Sequence, residues 1–228
     1  MFTLLPAFKY GWQEMQKKLG VFLILTLIFS FGDIGGSFLL KDIVIDETMD
    51  MLQMAEAIPL NTMLIMAGIS FLLVILNFFV VVFVLSGLRG IQALTYLKMK
   101  IKHFPTYILL MIMKMIIVGI GLILFVVPGL ILLLALYFME YLLIDKDMPL
   151  LDTFKASWEM TRGYRTGLFF FELNLFVIGM FLGFPQSFWP DTLLTYAIMM
   201  LINVAWLPFS WSAQGYIYQF VSQNQLSK

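Results

Sequence analysis

Three ionisable residues, Lys114, Glu140 and Glu172, stand inside long apolar stretches of the sequence. Charged side chains are costly in hydrocarbon, so those that occur there mark functional positions or paired structural ones. An ammonium group without a counter-charge would lose its proton or find a carboxylate partner. The pattern predicts an intramembrane charged cluster, which is either a structural clasp between helices or a polar site for an ion, a proton or a lipid head group.

The depth of each group along its predicted helix favours one pairing. At about 1.5 Å of rise per residue, Glu140 lies about 7 Å from the cytoplasmic edge of its span, Glu172 about 10 Å and Lys114 about 15 Å. Glu172 is the better match in depth, so we expect a Lys114–Glu172 pair that Glu140 can join. A fourth group, Asp33, lies in a glycine-rich stretch and is expected to mark an early end of its helix.

The residue types that metal sites and most membrane enzymes need are scarce. The sequence has no cysteine and one histidine, which excludes thiolate and multi-histidine metal sites. That histidine, His103, lies in a basic segment and is expected at the surface, away from any serine that would need it as a base. We therefore expect no catalytic residue, no metal and no cofactor, and predict that the chain is not an enzyme.

The composition requires a bilayer around these groups. Of the 228 residues, 61% are hydrophobic and 12% are charged, and the mean hydropathy is +0.95. Soluble domains contain about 25% charged residues, and a chain this apolar would aggregate in water. The soluble globular class is excluded, and so is intrinsic disorder, which needs the opposite composition.

Apolar stretches of roughly 20 residues predict an all-α, polytopic membrane protein with six transmembrane helices. The Pro128–Gly129 pair is a strong turn signal. It divides the stretch from Pro105 to Ile144 into two spans, with a re-entrant hairpin as the alternative. Residues 1–228 form a single transmembrane domain with predicted spans at 19–40, 60–88, 105–126, 130–144, 166–183 and 192–216.

Basic residues are concentrated on one side of these spans. Twelve Lys and Arg residues fall in the loops and termini of that side, whereas the other side has Lys41 alone among acidic residues. Since basic loops stay in the cytoplasm, both termini are predicted to be cytoplasmic. The cytoplasmic set is Lys9, Lys17, Lys18, Arg89, Lys98, Lys100, Lys102, Lys146, Lys155, Arg162, Arg165 and Lys228.

Two segments 146 positions apart resemble each other: residues 3–12 and 149–158 share Leu, Leu, Phe, Lys and Trp at matching places. The apolar residues have helical spacing, which predicts two cytoplasmic amphipathic helices, 1–18 and 149–163, in a parallel internal repeat. Each either lies in the inner leaflet with its cations toward anionic head groups or caps the bundle. The predicted interfacial anchors are Phe8, Lys9, Trp12, Phe154, Lys155 and Trp158.

Three further runs carry a family resemblance: Val127–Leu130 (VPGL), Tyr141–Asp145 (YLLID) and Ser157–Gly163 (SWEMTRG). With the N-terminal Phe-Lys-x-Gly-Trp pattern, they resemble a broad family of six-span proteins. It contains the YciC-like inner-membrane proteins and the membrane domain of glycerophosphoryl diester phosphodiesterases. The resemblance implies a polytopic helical fold in the cytoplasmic (inner) membrane of a prokaryote. It carries over no catalytic residues, since in fused members catalysis belongs to a separate soluble domain.

The expected function is that of a non-enzymatic integral membrane protein, either a lipid-associated scaffold or an accessory subunit of an envelope complex. Expected partners are membrane lipids with anionic head groups on the cytoplasmic side, and a membrane-protein partner or a second copy. Nucleic acid is not expected, because the basic loops lack interleaved aromatic residues. The alternative is a small transporter or channel, for an ion or a lipid-like solute, with Lys114, Glu140 and Glu172 along its path.

Overall fold

A computed structural model describes the backbone of residues 4–40, 58–183 and 193–226, and the side chains of residues 5–30, 58–183 and 194–224. Within these ranges the chain is almost entirely helical and has no strand, so the all-α prediction is confirmed. The helices are α1 Leu4–Lys17, α2 Leu19–Leu40, α3 Leu60–Arg89, α4 Ala93–Lys100, α5 Phe104–Leu124, α6 Val126–Ala135, α7 Met139–Lys146, α8 Leu150–Thr161, α9 Arg165–Gly183 and α10 Leu193–Leu226.

Five helical stretches in these ranges are long and apolar enough to cross a membrane, which defines a multi-pass membrane protein. They are Leu60–Arg89, Ala93–Leu124, Val126–Lys146, Arg165–Gly183 and Leu194–Asn224.

Helix α2 has the predicted bounds. Its side chains are described only as far as Ser30, which leaves the shorter apolar stretch Leu19–Ser30. The helix continues through Asp33, so the expected early end there is wrong. The side chain of Asp33 and the predicted outer segment, 41–57, lie outside the described residues.

Helix α3 is the centre of the bundle. Phe78 and every residue from Val80 to Leu85 are buried, because α2, α4, α5, α7 and α10 all contact this helix. A helix that is apolar on all sides is stable only when it is surrounded. The core therefore lies around the C-terminal half of α3.

The C-terminal helix is longer than predicted and holds the N-terminal helix. α10 continues through Pro208 and beyond the predicted limit at residue 216. α1 packs along α10, and this is the most extensive contact between two helices in the described part of the chain. A Cβ atom at Gly11 would lie 2.7 Å from the backbone oxygen of Phe209, so only glycine allows this approach.

The hairpin between α5 and α6 turns earlier than predicted. Phe125 has extended backbone angles, φ −158° and ψ 131°, and α6 begins at the next residue. The expectation of a turn within Val127–Gly129 is therefore wrong. Pro128 lies in the first turn of α6, where its missing N–H costs nothing. A Cβ atom at Gly129 would lie 2.6 Å from the backbone nitrogen of Leu122, so glycine is needed for the two arms to pack.

The predicted span 130–144 is not one helix. α6 ends at Ala135 and α7 begins at Met139, with a turn at 136–138. Residues 131–139 (ILLLALYFM) contain no glycine or proline, so local sequence gives no reason for this break. The reason is tertiary: hydroxyl groups of α8 bond the backbone exposed at the turn.

Candidate functional site

A hydroxyl clasp from α8 holds the turn between α6 and α7. The Oγ of Ser157 donates to the backbone oxygen of Ala135 at 2.9 Å and accepts from the backbone N–H of Phe138 at 3.3 Å. The Oγ1 of Thr161 lies 3.3 Å from the same Ala135 oxygen, but its nearer acceptor is the backbone oxygen of Ser157 at 2.9 Å, so Ser157 supplies the main contacts to the turn. These bonds satisfy the buried groups that the broken helix leaves open, which an apolar interior would otherwise penalise. Both hydroxyls belong to the SWEMTRG run.

The first polar cluster lies between α3, α5 and α7. Lys114 Nζ forms an ion pair with Glu140 Oε1 at 2.7 Å. The other carboxylate oxygen accepts from Asn77 Nδ2 at 3.1 Å and lies 3.5 Å from the Tyr107 hydroxyl. Asn77 also donates to the Tyr107 oxygen at 2.9 Å. The Glu140 carboxylate is thus balanced by one cation and two neutral donors.

The second polar cluster surrounds Glu172. Its carboxylate accepts a short hydrogen bond from the Tyr137 hydroxyl and a longer one, 3.4 Å, from Gln214 Nε2. Tyr137 belongs to the turn that the hydroxyl clasp holds, and Glu140 lies three residues further on in α7. The broken helix therefore supplies one polar side chain to each cluster.

The structure brings Lys114, Glu140 and Glu172 into one region but pairs them differently from the prediction. The ion pair joins Lys114 to Glu140, and Glu172 is held by neutral donors. The expected direct Lys114–Glu172 pair is therefore wrong, although the ammonium still attracts the Glu172 carboxylate at longer range. The depth estimate assumed a straight helix through 130–144 and could not show which carboxylate faces α5.

Of the neutral members of these clusters, the sequence pointed only to Asn77, as an amide that can hydrogen-bond between helices; the others were not predicted. Each of these residues carries an amide or a phenol group within an apolar run, where a polar group is retained only if it has a hydrogen-bond partner. That signal could have identified them, but their pairing requires the fold. These residues are Asn77, Tyr107, Tyr137 and Gln214.

Arg89 and Asp145 tie three helices together at the basic end of the bundle, the end that carries the first residues of α4 and α8. The Arg89 guanidinium donates to both carboxylate oxygens of Asp145, at 2.8 and 2.5 Å. The hydroxyl of Tyr218, on α10, donates to the same carboxylate at 2.7 Å. The Asp145 side chain is buried, so this two-point contact fixes the C-terminal ends of α3, α7 and α10 relative to one another.

Asp147 is a second ion-pair centre at this end. Its carboxylate contacts the ammonium of Lys100 at 2.7 Å, the Nε2 of His103, and the ammonium of Lys102 at 3.8 Å. Burial raises the pKa of Asp147, but the hydrogen bonds from Lys100 and His103 outweigh it and hold the pKa below its ordinary value. His103 lies at the surface of the bundle, as expected, where the contact with Asp147 leaves its side chain 15% exposed.

Helices α1 and α8 alternate exposed, half-buried and buried positions in the same order. Residues 5–13 and 151–159 agree at all nine positions. Of the predicted anchors, Phe8 and Phe154 pack on the core, whereas Lys9 and Lys155 are exposed. The exposed apolar positions are Leu5 (77% exposed), Trp12 (52%), Leu151 (73%) and Trp158 (42%).

The predicted apolar stripe is therefore divided between two environments. Ala7, Gly11 and Met15 face the protein in α1, and Thr153 and Ser157 do so in α8. The Leu and Trp side chains face outward beside a lysine. Each helix thus docks on the bundle with one face and leaves an amphipathic edge free.

No group of three or more His, Asp or Glu side chains that could hold a metal ion occurs among the described residues. The described side chains form ion pairs, hydrogen bonds and apolar contacts. The class defined by fold and site is a multi-pass helical membrane protein with two hydrogen-bonded polar clusters between its helices.

Comparison of the chain with protein-family models, with curated proteins and with solved structures finds no match.

Proposed function

We propose that this chain is a non-enzymatic, lipid-associated scaffold or accessory subunit of a prokaryotic cytoplasmic membrane. In this proposal α2 completes a sixth crossing, both termini are cytoplasmic, and α1 and α8 form a parallel repeat whose outer edges lie in the inner leaflet. The YciC-like resemblance is part of the proposal. It is supported chiefly by the free amphipathic edges of the two helices.

The observation that carries the proposal is the matched exposure of α1 and α8. In both helices an exposed Leu and an exposed Trp stand beside an exposed Lys, at equivalent positions. Leu and Trp gain free energy in the region between head groups and acyl chains, and Lys is attracted to anionic head groups. If these side chains were exposed to water, they would not gain this free energy. An inner leaflet is the environment that satisfies all three at once.

The interior supports a scaffold more than a conduit. The Lys114 ammonium has a carboxylate partner, and both oxygens of Glu140 have donors. The Glu172 carboxylate is likewise held by two donors. Groups satisfied in this way hold helices in register and would have to be separated before they bound a solute.

Quenching of single tryptophans by brominated lipids tests this placement. Variants that retain only Trp12 or only Trp158, with the other tryptophans changed to Phe, are placed in nanodiscs containing lipids brominated near the head-group end. We expect strong quenching of both. A variant retaining only Trp211, which is half-buried and packs on Phe22 and Phe29, is the matched control. Quenching of Trp12 and Trp158 no stronger than that of Trp211 would refute the proposal.

A small transporter or channel is the second candidate, favoured by one observation: the Lys114–Glu140 ion pair lies deep in an apolar span and stays 23% exposed on the lysine side. This candidate predicts that water reaches the cluster. A cysteine placed at Met111, one helical turn before Lys114, would then react with a water-soluble maleimide in intact membranes. The scaffold proposal expects no such labelling.

A further inference from the structure

Two adjoining clefts between α2, α3 and α4 form one continuous groove. The inner cleft, of about 350 Å³, is lined by apolar residues such as Leu25, Leu76 and Phe79. The outer cleft, of about 410 Å³, is lined in part by Lys17 and Lys18, and the Lys18 ammonium lies 5.3 Å from the centre of the Phe83 ring. Both clefts share three lining residues: Val21, Phe83 and Ala93. We call the whole the basic-mouthed groove.

The groove is long enough to hold part of an acyl chain. From Phe83 to Leu76 along α3 is about 10 Å at 1.5 Å per residue. The lining of this portion is entirely apolar, and it opens on the outside of the helical bundle. In a bilayer, that opening faces lipid tails.

The mouth carries a surplus of positive charge. Lys17 and Lys18 share a single carboxylate, Glu14, at 3.0 and 3.2 Å. Burial raises the pKa of Glu14, but the hydrogen bonds with the two lysines outweigh it and keep the pKa below its ordinary value, so Glu14 stays ionised. One unit of positive charge is left over. The start of α4 also lines the mouth, and its N-cap residue, Gln92, makes no side-chain capping bond. This adds unsatisfied N–H groups on the same side.

A second groove shows what an uncharged cleft looks like in the same fold. It measures about 410 Å³ and is lined by Trp12, Ile178, Ala205 and Trp206 among others, with no charged residue. Nothing in that groove distinguishes one lipid from another. The basic-mouthed groove differs from this second groove by the charge at one of its ends.

We propose that the basic-mouthed groove is a binding site for one anionic phospholipid. The phosphate lies at Lys17, Lys18 and the start of α4, and one acyl chain lies along Leu25, Leu76 and Phe79. This inference rests on the proposed lipid-associated function and gives it a specific site. A diffuse inner-leaflet interaction of α1 and α8 needs no such groove.

Native mass spectrometry of the detergent-purified chain, titrated with phosphatidylglycerol or phosphatidylcholine, tests the site. We expect one phosphatidylglycerol to bind more tightly than phosphatidylcholine. Lys18→Gln should weaken phosphatidylglycerol binding about fivefold, the equivalent of about 1 kcal/mol for one cation near a head group. Lys98→Gln removes the same charge from an exposed position outside the groove and should leave binding unchanged.

Blocking the groove at the point where the two clefts meet tests the position of the acyl chain separately. Ala93→Trp places a large ring where the two clefts meet and should reduce phosphatidylglycerol binding. Ala205→Trp fills the uncharged groove and is the matched control. Val21→Trp serves as a second blocking variant, and circular dichroism of each purified variant checks folding. Glycerol 3-phosphate, which has the phosphate and no acyl chain, should not displace the lipid.

The outcomes separate the site from the wider proposal. If phosphatidylglycerol binds more tightly than phosphatidylcholine but Lys18→Gln and Lys98→Gln behave alike, the groove is not the site, while the lipid-associated function stands. Equal binding to folded Ala93→Trp and Val21→Trp variants also overturns the groove. If wild type does not prefer phosphatidylglycerol at all, the site and the anionic-lipid proposal both fail.

Discussion

The Lys114–Glu140 ion pair can be tested as a structural clasp by a double-mutant cycle. The variants are Lys114→Met, Glu140→Gln and the combination of both. Glutamine keeps an acceptor for Asn77 and Tyr107, so the cycle isolates the loss of charge. Each single change leaves one group in the bundle without its ionic partner, whereas the double variant leaves no unpaired charge.

The magnitude follows from the burial of the two side chains. Removing one member of a fully buried ion pair costs about 3–5 kcal/mol. Lys114 and Glu140 remain 23% and 12% exposed, so each single variant should lose about 2 kcal/mol after allowance for screening. The double variant should lose about 1 kcal/mol, which gives a coupling free energy of about 3 kcal/mol. For a chain of this size each single change should lower Tm by about 4–8 °C.

Thermal unfolding in a mild detergent, followed by circular dichroism, measures these values. The parallel cycle of Lys114→Met with Glu172→Gln is the control, because the direct donors to Glu172 are Tyr137 and Gln214. Coupling there should stay below about 1 kcal/mol. Additive losses in the first cycle, or stronger coupling in the second, would show that the pairing described here is wrong.

Three further predictions concern the clasp, the basic end and the hairpin. Ser157→Ala removes the hydroxyl bonded to Ala135 and should lower the free energy of unfolding by about 1–3 kcal/mol. An unchanged free energy of unfolding would mean that the turn is stable without this hydroxyl. Because the folded pKa of Asp147 lies below the unfolded value of about 3.9, its stabilisation is fully present above about pH 4. It is lost as pH falls through the folded pKa, so Asp147→Asn should flatten the dependence of Tm on pH below 4; parallel curves contradict this. Gly129→Ala forces a Cβ atom to 2.6 Å from the Leu122 nitrogen and should lower Tm by several degrees, and an unchanged Tm would rule out the tight hairpin.

The helices could be predicted because their cause is local. A long apolar run can satisfy its backbone in a bilayer only as a helix, and the observed α3 and α9 match the predicted spans within one residue. The break after Ala135 could not be predicted, because the Ser157 hydroxyl that bonds the exposed backbone lies on α8, about 20 positions later in the sequence.

The charged members of the candidate site were predictable, whereas their pairing and most of the neutral members were not. Position in an apolar run identified Lys114, Glu140 and Glu172, since a charge there is conspicuous. Depth along a helix fixes one coordinate of a side chain, whereas its partner depends on the direction it faces. That direction is set by the turn at 136–138 and by packing of the neighbouring helices, neither of which spacing reveals.

The arrangement of the chain across the membrane is tested most directly by cysteine labelling, for which the absence of native cysteines removes any background. Gln13→Cys and Gln223→Cys report the two ends of the described chain, and Asp50→Cys reports the segment between α2 and α3. With an impermeant maleimide on intact spheroplasts, we expect only Asp50→Cys to react, and all three to react after permeabilisation. If α2 does not cross, Gln13 and Gln223 lie on opposite sides. Labelling of either one in intact spheroplasts would contradict six crossings with both ends in the cytoplasm.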